Sequence, residues 1–129
     1  MKQLTDFLSR YSDTVFDYNK FTCAFFTCDW IKEVRGVDPA SGMRLVCNDE
    51  YEMKRLLKQY KSLKHITIAY FKTINLKPVH RNFAKRGDII LFNRNSWTLG
   101  VLGTQGIVSP SLKGLMYTPI TNAVFAWKV

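Results

Sequence analysis

The sequence predicts an α+β protein whose helices pack on a small antiparallel sheet of about five strands. Up to about residue 73, apolar residues recur at spacings of three and four, which is typical of amphipathic helices. After Gly87 they form short runs between glycine and asparagine turns, which is typical of strands. With 129 residues, 47% of them hydrophobic, the chain is long enough for one core. We therefore predict one domain over 1–129, with a helical half over 1–74 and a sheet half over 86–129.

Four helices are predicted, over residues 2–10, 22–35, 50–61 and 62–73. The second helix has Thr22 as its N-cap and ends at Gly36. The last two helices carry an apolar stripe on one side and lysines and arginines on the other. The inward residues of the fourth helix are predicted to be Leu63, Ile66, Ala69 and Tyr70.

Five strands are predicted to follow as an antiparallel meander, over residues 88–92, 97–102, 107–108, 115–117 and 123–129. The segment from Asn75 to Lys85 is predicted to be a connection, because Pro78 interrupts it.

Cys23 is the residue at which chemistry could be concentrated. It opens the second predicted helix, where unpaired N–H groups and the helix dipole stabilise a thiolate and can lower the thiol pKa. The alternative is a buried cysteine that acts as a small hydrophobe. Both interpretations stay open at the level of sequence.

The charge and the cysteine count limit the partners. The net charge of +9 favours an anionic partner, such as nucleic acid, a cell-wall polymer or an acidic protein, or else a solubilising surface. Three cysteines without a CxxC motif indicate reduced thiols. His65 and His80 are isolated, so no metal site and no cofactor is predicted. No apolar run could span a membrane, and no signal peptide is recognisable, so we expect synthesis in a cytoplasm.

Three stretches resemble the NlpC family of papain-like cysteine peptidases, which act on the cell wall. Residues 22–30 resemble the family's cysteine-containing helix, 85–92 its Gly-Asp turn and strand, and 98–101 its His-x-Gly-x strand. Residues 29–30, 35–40 and 126–129 are similar to Asp-Trp, Thr-Gly-x-Asp-Pro-Ala and Ala-Trp-x-Val in short phage-encoded members found among tail genes.

The resemblance implies a papain-like fold with Cys23 as the possible nucleophile. Thr98 stands where the family has its histidine, and a threonine hydroxyl cannot accept a thiol proton at neutral pH. His80 precedes the Gly-Asp turn, and it could serve as the base only if the 75–85 connection folded over the start of the helix.

Three functions remain open. The first, which we favour, is a catalytically inactive NlpC-type scaffold that serves as a structural or assembly component of a phage virion, in the tail, hub or baseplate. It would bind other tail proteins after synthesis in the host bacterium. The second is an active cysteine peptidase or amidase that cuts host peptidoglycan during entry, with Cys23 as nucleophile. The third is a basic nucleic-acid-binding module, for which the charge is the only evidence.

Overall fold

The structure, a computed structural model, describes residues 2–12, 23–39, 54–55, 58, 62–94, 96–111 and 113–129. Its helices are α1 (Lys2–Tyr11), α2 (Cys23–Arg35) and α3 (Leu63–Thr73). Its strands are β1 (Lys77–Val79), β2 (Ile89–Asn93), β3 (Trp97–Leu102), β4 (Ile107–Ser111), β5 (Gly114–Thr118) and β6 (Ala123–Lys128). Two 3₁₀ turns lie at Arg81–Phe83 and Ile120–Asn122. The α+β class predicted from the sequence is confirmed.

The described strands form one sheet of six, in the order β1-β6-β2-β3-β4-β5. All neighbouring pairs are antiparallel. Strands β2 to β5 follow one another as the predicted meander. The last strand departs from it, because β6 returns across the sheet and pairs with β2 instead of β5.

Strand β1 corrects the prediction that residues 75–85 are only a connection. It pairs with β6, with Pro78 opposite Trp127. Proline cannot donate a hydrogen bond to a sheet, and for that reason the sequence argued against a strand here. At the edge of a sheet the missing donor faces outward, so Pro78 is tolerated. The described sheet therefore has six strands, where about five were predicted, and it begins before residue 86.

The central strands β2 and β3 are buried on both faces of the sheet, and successive side chains of a strand point to opposite faces. One face packs against the helices and forms the helix-side core, made of Leu4, Phe7, Phe26, Trp30, Ile31, Phe71, Leu76, Ile89, Leu91, Leu99, Val101, Val108 and Trp127. The other face forms the far-side core, made of Ile90, Phe92, Leu102, Ile107, Ala123 and Ala126. Burial on two faces explains why β2 reads as a continuous apolar run.

Helices α1 and α2 confirm the first two predicted helices. Helix α2 ends as predicted at Gly36, which has a φ of 75° and whose N–H donates to the Lys32 carbonyl. The predicted N-cap, Thr22, lies outside the described residues. So does most of the predicted 50–61 helix, of which residues 54, 55 and 58 are described and helical.

Helix α3 confirms the fourth predicted helix but buries a different stripe. Ile66 is buried as predicted, whereas Ala69 is exposed and that prediction was wrong. The buried stripe includes Phe71, which packs edge-on against Trp127 with ring centroids 5.1 Å apart. A phenylalanine ring buries far more apolar area than an alanine methyl, so the helix turns its Phe71 side to the sheet. No described helix is long and apolar enough to cross a membrane.

Candidate functional site around Cys23

The structure places Cys23 at the first turn of α2, with the helix packed across β3. Its side chain packs against the helix-side core. The thiol also makes backbone hydrogen bonds to Leu99 of β3 and to Ala24. Helix α2 and strand β3 therefore meet at this cysteine.

Burial raises the pKa of the Cys23 thiol, and this is the largest influence on it. The backbone hydrogen bonds to Leu99 and Ala24 and the positive charge of Arg94 all favour the thiolate, but together they do not offset the burial. The residue keeps some solvent exposure, while its sulfur lies against apolar side chains. The net direction is opposite to the one that a helix N-terminus alone would produce, and Cys23 has the properties of a buried hydrophobe.

The raised pKa makes a testable prediction about alkaline stability. An unfolded cysteine ionises near pH 8.5, below the pKa of the folded thiol, so the unfolded state loses its proton first. The free energy of unfolding should therefore be unaffected by this group below about pH 8 and should fall as the pH rises further. Urea unfolding at pH 7 and pH 9.5 should show a smaller loss for Cys23→Ala than for the unmodified protein. Equal losses would contradict the assignment.

Neither histidine is engaged with the thiol. His80 caps the Arg81–Phe83 turn, with its Nδ1 accepting a hydrogen bond from the Asn82 N–H at 3.1 Å. His65 lies in the first turn of α3, with its Nδ1 2.8 Å from the Ser62 hydroxyl. Both side chains are exposed. The hydrogen bonds of the described residues thus leave Cys23 without an imidazole base.

Thr98 lies on the face of the sheet opposite to the thiol. It is paired with Phe92 of the far-side core, and residues paired across an antiparallel ladder share a face. Its hydroxyl donates a hydrogen bond of 3.1 Å to the Ser96 carbonyl. The part of β3 that reaches Cys23 is instead the backbone of Leu99. That position 98 corresponds to the family's histidine stays a prediction.

The stretches that carry the resemblance come together in space. The indole Nε1 of Trp30 donates a buried hydrogen bond of 2.7 Å to the Gly87 carbonyl, which joins α2 to the Gly-Asp turn. On the other side of β3, Gly100 lies so close to β4 that a Cβ would stand 2.7 Å from the Val108 carbonyl oxygen. The first contact fixes α2 to the Gly-Asp turn and the second sets the spacing between β3 and β4, and neither depends on chemistry at Cys23.

Arg94 is a partly buried cation that the sequence did not reveal, and its positive charge acts on the Cys23 thiol electrostatically. Its Nη1 donates to the hydroxyls of Ser109 and Thr118 at 3.3 and 3.2 Å, and its guanidinium carbon lies 5.7 Å from the centre of the Phe92 ring. A charged residue in a turn between two strands is ordinarily solvated, so nothing in the sequence marked this one as partly buried.

The described residues can be compared with the predictions about the cysteines, a metal site and the basic surface. Neither Cys23 nor Cys28 is in a disulfide, and Cys47 lies outside the described residues. No group of three potential metal ligands occurs in the described part of the chain. Of the basic residues on the polar side of the predicted 50–61 helix, Lys54, Arg55 and Lys58 are exposed. Exposure fits both a solvated surface and a nucleic-acid contact.

Comparisons with known proteins identify a family but no activity. A family model described as a domain of unknown function, DUF6950, matches residues 1–129. No curated protein matches the chain. The roles of individual residues therefore depend on the geometry described above.

Proposed function

The chain belongs to the DUF6950 family of unknown function, and from its geometry we propose that this member is a non-catalytic scaffold of the papain-like, NlpC type. It serves as a structural or assembly component of a phage virion, in the tail, hub or baseplate. Its partners are other tail proteins.

The environment of Cys23 supports the first part of this proposal, namely that the protein is not a catalyst. Cysteine catalysis needs a thiolate, or a base within hydrogen-bond reach that can form one, and a donor that protonates the leaving group. Here burial raises the pKa of the thiol, both histidines are hydrogen-bonded elsewhere, and Thr98 faces the other side of the sheet. The absence of general acid–base assistance alone costs a factor on the order of 10²–10⁴ in rate.

The second part of the proposal, an NlpC-type scaffold, is supported by the arrangement of α2, β2 and β3. A cysteine opens helix α2, that helix packs across β3, the strand that the sequence resemblance aligns with the family's histidine strand, and Trp30 ties α2 to the Gly-Asp turn. The tail location is supported only by the sequence resemblance to short phage-encoded members. An assembly role also needs a contact surface, and the described residues include large exposed apolar side chains, such as Phe83 at 74% and Ile120 at 40% exposure.

The test measures hydrolysis of purified peptidoglycan by the full chain and by Cys23→Ala. Cys28→Ala is the matched control, because it removes a buried cysteine from the same helix. We expect no release of peptides above the buffer background from any of the three proteins. Release that disappears in Cys23→Ala and persists in Cys28→Ala would overturn the proposal and establish the active peptidase instead.

The assembly role has its own measurement in the phage that encodes the chain. Mass spectrometry of purified particles should find the protein in fixed stoichiometry with tail proteins, and Cys23→Ala should leave that stoichiometry unchanged. Its absence from washed particles would contradict the virion assignment.

A further inference from the structure

A cleft of about 350 Å³ with mixed polar and apolar lining lies beside α1, and Cys23 is not among its described lining residues. It is formed by α1, the turn at Arg86, the β3–β4 turn and β5. Its lining residues are Thr5, Leu8, Ser9, Ser12, Arg86, Thr104, Gln105, Leu115 and Tyr117. None of these residues takes part in the thiol environment described above.

Arg86 supplies a positive charge in this cleft that no described carboxylate offsets. It is half-buried, and its Nη2 donates to the Thr5 hydroxyl at 2.9 Å, while its Nε is buried without a hydrogen-bond partner. No aspartate or glutamate is among the described lining residues, and the only ion pair between described residues joins Arg10 to Glu33, neither of which is among them. A partly desolvated cation is unfavourable without a counter-charge, so the cleft favours an anion.

The remaining lining limits what kind of anion fits. Neutral groups that can donate hydrogen bonds line the same cleft, namely the hydroxyls of Ser9 and Thr104 and the amide of Gln105. Leu8 and Leu115 provide apolar wall, and Tyr117 adds a half-exposed ring. One guanidinium balances one negative charge, whereas a phosphate dianion would retain an uncompensated charge here. A guanidinium also suits the planar geometry of a carboxylate.

We propose that this cleft is a binding site for a monocarboxylate that carries a small apolar group. The carboxylate lies at Arg86, and the apolar group packs against Leu8, Leu115 and Tyr117. The carboxylate belongs either to a free organic acid or to the C-terminus of a peptide chain, and the two present the same chemistry to Arg86. This site is independent of the scaffold role proposed above and would stand if that role failed.

The experiment titrates the ¹⁵N-labelled full chain with three probes and follows backbone amide shifts. The probes are 3-phenylpropionate for a free acid, N-acetyl-L-phenylalanine for a chain end, and N-acetyl-L-phenylalaninamide, which has no carboxylate. We expect one or both acids to give saturable shifts around Thr104 and Gln105, and the amide to bind at least tenfold more weakly. Which acid binds more tightly distinguishes the two sources.

Two variants distinguish specific binding of the carboxylate at Arg86 from non-specific attraction of an anion to a basic protein. Arg86→Gln should weaken the binding of the acid at least tenfold. Lys85→Gln also removes one positive charge, but from the exposed neighbouring residue, and it should leave the affinity for the acid unchanged. If Arg86→Gln does not fold, the acid–amide pair on the unmodified protein decides the question.

Three outcomes would overturn the proposal. The amide could bind as tightly as the acids, or Lys85→Gln could weaken binding as much as Arg86→Gln. Inorganic phosphate could displace the acids and bind more tightly than either of them. Saturable, carboxylate-dependent shifts at the cleft would support it.

Discussion

Gly100→Ala is expected to destabilise the protein by about 3 kcal/mol, at the upper end of the usual cost of overpacking a core. The added Cβ would lie 2.5 Å from Cγ2 of Ile107 and 2.7 Å from the carbonyl oxygen of Val108. Ile107 is completely buried, and the Val108 carbonyl belongs to the strand paired with β3, so neither atom can move aside cheaply. A loss of about 3 kcal/mol is a large part of the ~5–15 kcal/mol that stabilises a typical domain.

Gly103→Ala is the matched control for this effect. Gly103 is also buried and follows β3, but the nearest atom to its added Cβ would be Cγ2 of Val108, at 3.1 Å, and the Gly106 carbonyl oxygen would lie at an ordinary 3.5 Å. A small shift of that side chain relieves the contact, so the expected cost is below about 1 kcal/mol. Urea unfolding of both variants, compared at one pH, gives the difference. Equal stability of the two variants would show that the spacing between β3 and β4 is looser than described.

The elements around Cys23 could be predicted because their sequence signals are local. Helix α2 was predicted over 22–35 and observed over Cys23–Arg35, with its end fixed by the backbone freedom of Gly36. Strand β3 was predicted over 97–102 and observed over the same residues, because a turn precedes its apolar run and Gly103 follows it. In each case the apolar pattern and the residues that end the element lie within a few positions of each other and indicate the same element.

The features that the sequence could not predict depend on residues far apart in the chain. Strand β1 exists because the edge of β6 is available beside it, which the local sequence around Pro78 cannot show. The direction of the Cys23 pKa depends on the side chains that fold over the sulfur and on Leu99, whereas the local signal was the helix N-terminus alone. The pairing of Thr98 with Phe92 sets the face to which its hydroxyl points, and that required the strand register.

The environments of two arginines, which the sequence did not mark as unusual, also depend on residues far apart in the chain. Arg86 precedes the Gly-Asp turn and Arg94 lies in a turn, and both positions predict a solvated charge. The cleft at Arg86 appears only when α1, the turn and β5 are brought together. Its identification therefore needs tertiary structure, whereas the composition gives only the overall charge of +9.

Trp30→Phe is expected to cost about 2–4 kcal/mol, because it removes a buried hydrogen bond as well as part of a core side chain. Trp30 is 2% exposed and packs on Phe7, with ring centroids 5.1 Å apart. Phenylalanine keeps most of that apolar contact, but it leaves the Gly87 carbonyl without the donor now 2.7 Å away. An unsatisfied buried acceptor costs about 1–3 kcal/mol, and the smaller ring adds a cavity term.

Trp127→Phe makes the same change of volume at a second core tryptophan and serves as the control. Trp127 is 5% exposed and packs edge-on against Phe71, and its indole N–H has no hydrogen-bond partner among the described residues. The excess cost of Trp30→Phe over Trp127→Phe, measured by urea unfolding, therefore reports the bond to Gly87. Hydrogen exchange should locate the same loss, with faster exchange at the Gly87 and Asp88 amides in Trp30→Phe alone. If the two variants lose equal stability and exchange at Gly87 and Asp88 is unchanged, then apolar packing, and not this hydrogen bond, holds α2 to the Gly-Asp turn.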